Sequence, residues 1–374
     1  MSDLFAWYAS MRASSPVAYD SRHGVHNVFL YEDVKTVLSD FARFSSQRGR
    51  GQGSQNPDNA LADSIISTDP PRHRQLRALV ERAFTPRQVE ALAPRISELT
   101  HELLDGFSRD VDFVRDFAEP LPVIVIAEIL GIPVRDRRDF KRWSDAVVSG
   151  RHDGMREMAT YFSKLIARRR DEGQDGEDLV SALLRAEVDG AHLTSNELLG
   201  FCILLLVAGN ETTTNLLTNA VQVLSDHPGV RDELVSNPDL WPSTVEEVLR
   251  LRSPVQSMFR VSTESVELSG VTIPANAWVI AWIGSANHDE RVFEMPDVFE
   301  PRRSPNRHLA FGHGVHFCLG APLARLEATI ALRAVYERFP HLRAREDAEL
   351  KYIDSTIVHG VKELPVHLSV EAAS

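Results

Sequence analysis

Disulfide bridges can be set aside first: only two cysteines, Cys202 and Cys318, occur in 374 residues, and Cys202 lies inside an apolar run. That scarcity fits a reducing cytoplasm. Long apolar runs are missing as well. The longest, Leu198 to Gly209, falls short of the ~18 residues that a membrane helix needs. Met1 to Trp7 carries Asp3 and no basic residue, so neither a signal peptide nor a membrane anchor is expected. Basic residues are outnumbered 41 to 53, and the net charge of -12 argues against nucleic acid as a partner. No Pro/Gly/Ser-rich linker, internal repeat or shift in composition divides the chain, which suits one domain over residues 1–374. Arg48 to Asp63 comes nearest to low complexity and reads as a loop.

What is present is a chain with 43% hydrophobic residues, patterned mostly as helix with a minority of strand. The spacing predicts helices over Tyr31 to Ser39, Thr85 to Phe107, Leu179 to Val188, Thr194 to Ser225, Ser243 to Arg252 and Ala321 to Phe339. Capping boxes are expected at Thr85 with Gln88, Thr194 with Glu197 and Ser243 with Glu246. Val17 to Tyr19 with Val25 to Tyr31 predicts one hairpin. Val266 to Ile273 with Trp278 to Ile283, around the Pro274-Ala275-Asn276 turn, predicts another.

Chemistry concentrates at four places. The first is Phe311-Gly312-His313-Gly314-Val315-His316-Phe317-Cys318-Leu319-Gly320, a glycine-rich loop that delivers Cys318 to a helix N-terminus. There the helix dipole and backbone N–H groups favour a thiolate, the form in which cysteine binds metal. Taken alone, Cys318 could equally be a small buried hydrophobe. The second is Ala208-Gly209-Asn210-Glu211-Thr212-Thr213, inside a helix apolar enough to be buried. Gly209 at mid-helix, with threonines able to bond back to carbonyls, predicts a loosened ladder that admits water beside a carboxylate and a hydroxyl. Third, Glu247 and Arg250 share a helical face at i, i+3, which by itself describes an ordinary solvated pair. Fourth, Asp69-Pro70-Pro71-Arg72-His73-Arg74-Gln75-Leu76-Arg77 places His73 and Arg77 one helical turn apart.

These motifs, in this order, resemble the cytochrome P450 family, whose loop pattern F-G-x-G-x-H-x-C-x-G is matched at every fixed position. The resemblance runs from Asp69 to Gly320 and implies a mainly α fold with a minor β region around haem b. It implies Cys318 as the axial ligand to haem iron, a thiolate that favours O–O cleavage. Glu211 and Thr212 would deliver protons. His73, Arg77, Arg260 and His316 would hold the haem propionates, a task suited to guanidinium forks. Glu247, Arg250 and Arg303 would form a structural network under the haem loop.

The implied activity is a monooxygenase that hydroxylates or epoxidises an apolar small molecule with dioxygen. Electrons would come from NAD(P)H through a separate ferredoxin and ferredoxin reductase, with no fused reductase expected. Arg72, Arg74, Arg302, Arg307 and Arg325 are candidates for docking an acidic ferredoxin. Two other activities are compatible with haem: peroxide-driven oxygenation, disfavoured by the intact Glu/Thr pair, and non-catalytic gas or ligand binding. Substrate contacts are expected from Leu61, Ile65, Ile66, Val148, Leu206, Val255, Met258, Phe259, Ile357 and Val358, an apolar set.

Overall fold

Every apolar stripe in the sequence that is long enough forms a helix, and the longest of them organises the rest. In the computed structural model, which describes residues 2–368 apart from 48–63, 109, 137–138, 141, 144–151, 173–175, 177 and 189, the central helix spans Ser195–Asp226. Its N-terminus carries the expected capping box, in which Thr194 accepts from the Glu197 backbone and Glu197 accepts in return. Most of its residues are buried. Pro120–Ile129, His152–Asp171 and Trp241–Leu251 pack around it, as does Ala321–Arg338, the helix that follows Cys318.

The helices at Tyr31–Ser39 and Ala321–Arg338 match expectation to within a residue. Three others need correction. Leu179–Arg185 stops short of the expected Val188, which pairs with Ala191 in a β-bridge instead. The Thr85 to Phe107 stretch is two helices, Pro86–Glu90 and Ala93–Asp105, because Pro94 lacks the N–H that a continuous helix would require there. The helix expected from Ser243 begins at Trp241, with Pro242 in its first turn. Ser243 therefore lies inside it and its hydroxyl donates back to the Leu240 carbonyl at 3.1 Å, so no capping box forms with Glu246.

The sheet region also departs from expectation in one place. Val17–Asp20 and Val25–Val28 form the first hairpin as read. The second hairpin is smaller than expected, Val266–Leu268 with Val271–Ile273, turning through Ser269 and Gly270, both at positive φ. Trp278–Trp282 leaves that hairpin and joins a five-stranded sheet instead, antiparallel to Ser257–Ser262 and parallel to Val25–Val28. Alternation marked Trp278–Trp282 as a strand but missed the turn that splits Val266 to Ile273 into two, and it could not give the parallel partner, which lies about 250 residues away. Among the described residues no helix is long and apolar enough to cross a membrane.

Candidate functional site

The cysteine loop is shaped by two glycines. Gly312 and Gly314 sit at φ +72° and +73°, where a side chain would be strained, and a Cβ on Gly314 would fall 2.7 Å from the Cα of Ser39. The turn closes where the Cys318 N–H donates to the Phe311 carbonyl at 2.9 Å. Phe311 lies under the guanidinium of Arg325, 4.4 Å from the ring centroid, and Arg325 is held by two bonds of 2.7 and 2.8 Å to Glu246. His308 reaches the same carboxylate at 3.1 Å. Glu246 thus ties the loop to the Trp241–Leu251 helix, and nothing in its local sequence announces that role.

Burial pushes the Cys318 thiol above its ordinary value. Bonds from the Gly320 and Ala321 N–H groups, with Arg77 and Arg325 nearby, pull in the opposite direction and do not win. The dipole and backbone N–H groups expected to favour a thiolate are thus outweighed while no metal is bound: desolvation is the larger effect. A bound metal ion would reverse the balance, because a coordinating thiol is deprotonated outright.

Around this loop the structure gathers the expected donors. His73 is buried, and its ring centroid lies 4.2 Å from that of His316. His316 Nε2 is 3.0 Å from the Ser46 hydroxyl, a partner the motif does not contain. Arg77 donates to the Phe317 carbonyl at 2.6 Å and pairs with Glu81 at 2.7 Å. Arg260, 5% exposed, donates to the Phe259 carbonyl at 2.8 Å. Burial, with Arg77 and Arg260 beside them, pushes His73 down to about 4 and His316 down to about 3. Both rings are therefore neutral at pH 7.

The haem expected from the resemblance can be tested against this donor set. Among the described residues His73 Nδ1 is buried with no hydrogen-bond partner, an arrangement that costs about 1–3 kcal/mol unless a ligand completes it. Two guanidinium groups and two imidazoles meet next to a lone thiol. A dianionic, iron-bearing macrocycle would satisfy the orphaned nitrogen, the cationic field and the thiol together, so the residues fit.

On the otherwise largely buried central helix Ala208 is exposed, and Leu204, Leu205, Val207, Gly209, Glu211 and Thr212 around it are partly open. An open space therefore faces this stretch. Thr212 donates to the Ala208 carbonyl at 2.5 Å, as expected, yet the helix runs unbroken through the motif, so the loosened ladder is not found. Gly209 has another reason to be there. A Cβ on it would lie 2.2 Å from Cδ1 of Ile126, so the glycine lets the Pro120–Ile129 helix approach. Glu211 keeps one buried, unpartnered oxygen, and burial raises its pKa.

Glu247 and Arg250 are not a surface pair. Both are fully buried, and Glu247 also accepts from Arg303 at 3.0 and 3.2 Å, from Asn306 at 3.0 Å and from the Glu300 N–H at 3.1 Å. Asn306 is a member of this network that the sequence motif does not contain. Of the five docking candidates, Arg72, Arg302 and Arg325 are already paired, with Glu197, Glu233 and Glu246, while Arg74 and Arg307 are exposed.

Among the expected substrate contacts, Ile65, Ile66, Val255, Met258, Phe259 and Val358 are partly buried and Ile357 is 43% exposed. Val255 pairs with Val358, which brings the two segments together. Leu206 is fully buried in the core, two residues and thus about 200° around the helix from Ala208. Leu61 and Val148 lie outside the described residues.

Comparison with known proteins agrees with this geometry. The family model for cytochrome P450 matches residues 140–368. Cytochrome P450 109 of Bacillus spizizenii is 45% identical, the alignment covering 98% of this chain and 92% of that one. The erythromycin C-12 hydroxylase of Saccharopolyspora erythraea is 42% identical, over 97% of this chain and 93% of its own length. The crystal structure of substrate-free CYP109E1 from Bacillus megaterium superposes with a TM-score of 0.93 at 43% identity, covering 98% of this chain and 99% of that one. The same enzyme in complex with testosterone gives 0.89. By sequence over nearly its whole length, and by fold, this chain belongs to the cytochrome P450 family of haem-thiolate monooxygenases.

Proposed function

We propose that residues 1–374 form one domain that holds haem b through Cys318 and inserts one oxygen atom of dioxygen into a C–H or C=C bond of an apolar small molecule. Bound haem supplies the oxygen-activating chemistry. Cys318 would ligate the iron. His73, Arg77, Arg260 and His316 would bind the propionates and fix the macrocycle over the loop. Glu211 holds a proton more firmly than an exposed carboxyl does, and with the Thr212 hydroxyl it would pass protons to the reacting oxygen. The Glu247, Arg250 and Arg303 network would keep the loop in place. A separate acidic ferredoxin, reduced through a ferredoxin reductase at the expense of NAD(P)H, would bring electrons.

The observation that carries this reading is the meeting of an orphaned, buried His73 nitrogen with two guanidinium groups beside a lone thiol. The apolar character of Ile65, Met258 and Phe259 supports an apolar substrate, and the relatives that act on a macrolide or bind a steroid agree with it. The test is the carbon monoxide difference spectrum of the purified, dithionite-reduced protein. A red-shifted Soret band that is lost in Cys318→Ser is expected. A band typical of an imidazole-ligated haem, or one that survives the substitution, would overturn the assignment.

A further inference from the structure

The amino-terminal helix, Ser2–Ser14, belongs to none of the motifs, yet two of its polar side chains are buried and reach one place. Tyr8 and Arg12 lie one turn apart on the same helical face. Arg12 donates to both the carbonyl and the hydroxyl of Ser285, at 3.2 Å each. Tyr8 donates to Oε1 of Gln256 at 2.9 Å, across 248 residues of chain. Burial raises the pKa of the Tyr8 phenol, so the hydroxyl keeps the proton that this bond requires.

Gln256 is fully engaged in its turn. It is 2% exposed, its Nε2 donates to the Ser253 carbonyl at 2.6 Å, its N–H donates to the Ile357 carbonyl at 2.7 Å, and its carbonyl accepts from the Gly284 N–H at 3.1 Å. The fit around the side chain is close, since a Cβ on Gly284 would collide with Oε1. A buried amide with all its groups paired has one place to sit, whereas loss of a partner leaves it to seek another.

The segments that Gln256 joins carry Val255 on one side and Ile357 and Val358 on the other. They are stitched further by the His359 N–H to the Pro254 carbonyl at 2.8 Å, by the Ser257 hydroxyl to the Thr356 carbonyl at 2.9 Å, and by the Val255–Val358 bridge. These bonds make the two segments one unit. Two side chains then tie that unit to helices: Asn219 of the central helix donates to the His359 carbonyl at 3.2 Å, and Tyr8 holds Gln256.

We propose that Tyr8 and Gln256 are positioning residues for substrate selection: by fixing where Val255, Ile357 and Val358 stand, the amino-terminal helix sets the size of the apolar molecule that the pocket accepts. The proposal rests on the reading of those three residues as substrate contacts.

The test uses the haem-loaded protein and two probes, imidazole and phenylimidazole, whose binding is read from the shift of the Soret band. Imidazole needs only the iron, whereas the phenyl ring also needs the walls. Tyr8→Phe removes one oxygen and leaves Gln256 Oε1 without its donor. It should change the phenylimidazole affinity about tenfold relative to that for imidazole, while imidazole affinity and the carbon monoxide spectrum stay as in the wild type. Gly284→Ala, whose methyl would displace Oε1, should change the same ratio and carries the test if Tyr8→Phe fails to fold. Amide hydrogen exchange at 356–359, measured without any probe, should quicken about tenfold in either variant. A wild-type affinity ratio in the folded variants would overturn the proposal, and the exchange rates then say where it fails. Quickened exchange would place the fault in the reading of Val255, Ile357 and Val358 as substrate contacts, and unchanged exchange would place it in the Tyr8 anchor.

Discussion

Glu247 and Arg250, one helical turn apart and both inaccessible to solvent, meet in a two-pronged ion pair of 2.8 Å on each prong. Arg250 goes on to the carbonyls of Asn287, Pro296 and Val298, so the pair joins the Trp241–Leu251 helix to the segment leading into the cysteine loop. Removing one partner leaves a buried charge uncompensated. Glu247→Ala should cost about 3–5 kcal/mol in urea unfolding and should release haem at lower denaturant than the wild type does.

Glu327, on the helix after Cys318, is 2% exposed, has one oxygen without a partner among the described residues, and is pushed up by burial from an ordinary 4.5 to about 8. The folded state therefore keeps a proton that the unfolded chain loses. Stability from this group is full below 4.5 and is lost as pH rises through about 8. Glu327→Gln should match the wild type in mildly acidic buffer and become the more stable protein at alkaline pH, by a few kcal/mol on an order-of-magnitude scale. Parallel thermal melts across that range measure it, and melting temperatures that track each other would contradict it.

Among the described residues the Thr212 hydroxyl bonds only to the Ala208 carbonyl of its own helix, so Thr212→Val should leave folding nearly untouched. If the hydroxyl passes protons, product formation should fall by about 10²-fold, with reduced nicotinamide still consumed and hydrogen peroxide released. A variant that stays coupled would remove Thr212 from the proton relay.

Charge reversal separates docking arginines from structural ones. Arg74 and Arg307 are exposed, so Arg74→Glu with Arg307→Glu should slow reduction by an acidic ferredoxin, and added salt should shrink the difference. Arg325→Glu should instead lower the melting temperature, since it places a carboxylate against Glu246 and removes the cation over Phe311. Stopped-flow reduction rates and melting curves distinguish the two effects.

The sequence made the helices and the motif-bearing side chains legible, because 3.6-residue periodicity, caps and fixed spacings are local signals. Thr194 with Glu197, and His73 with Arg77, are of that kind. Interactions set by tertiary approach were not. Gly209 looked like a weak point in a helix until Ile126 was found against it. Trp278–Trp282 looked like a hairpin arm because nothing near it names Val25–Val28 as its partner. Cys318 was expected to ionise from its helix terminus, yet its burial depends on the whole surrounding fold. Glu246, Ser46 and Asn306 each act through a partner 62, 270 or 59 residues distant, beyond any window in which pattern can be read.

The parallel pairing of Val25–Val28 with Trp278–Ala281 has a temporal side. A nascent chain cannot complete that sheet until Ala281 has been synthesised, and closing so large a loop is slow compared with helix formation. The amino-terminal hairpin must wait with an open edge while the central helix and its neighbours collect. The segment carrying Cys318 emerges only afterwards, so the strands and helices that carry His73 and Arg260 are synthesised before it.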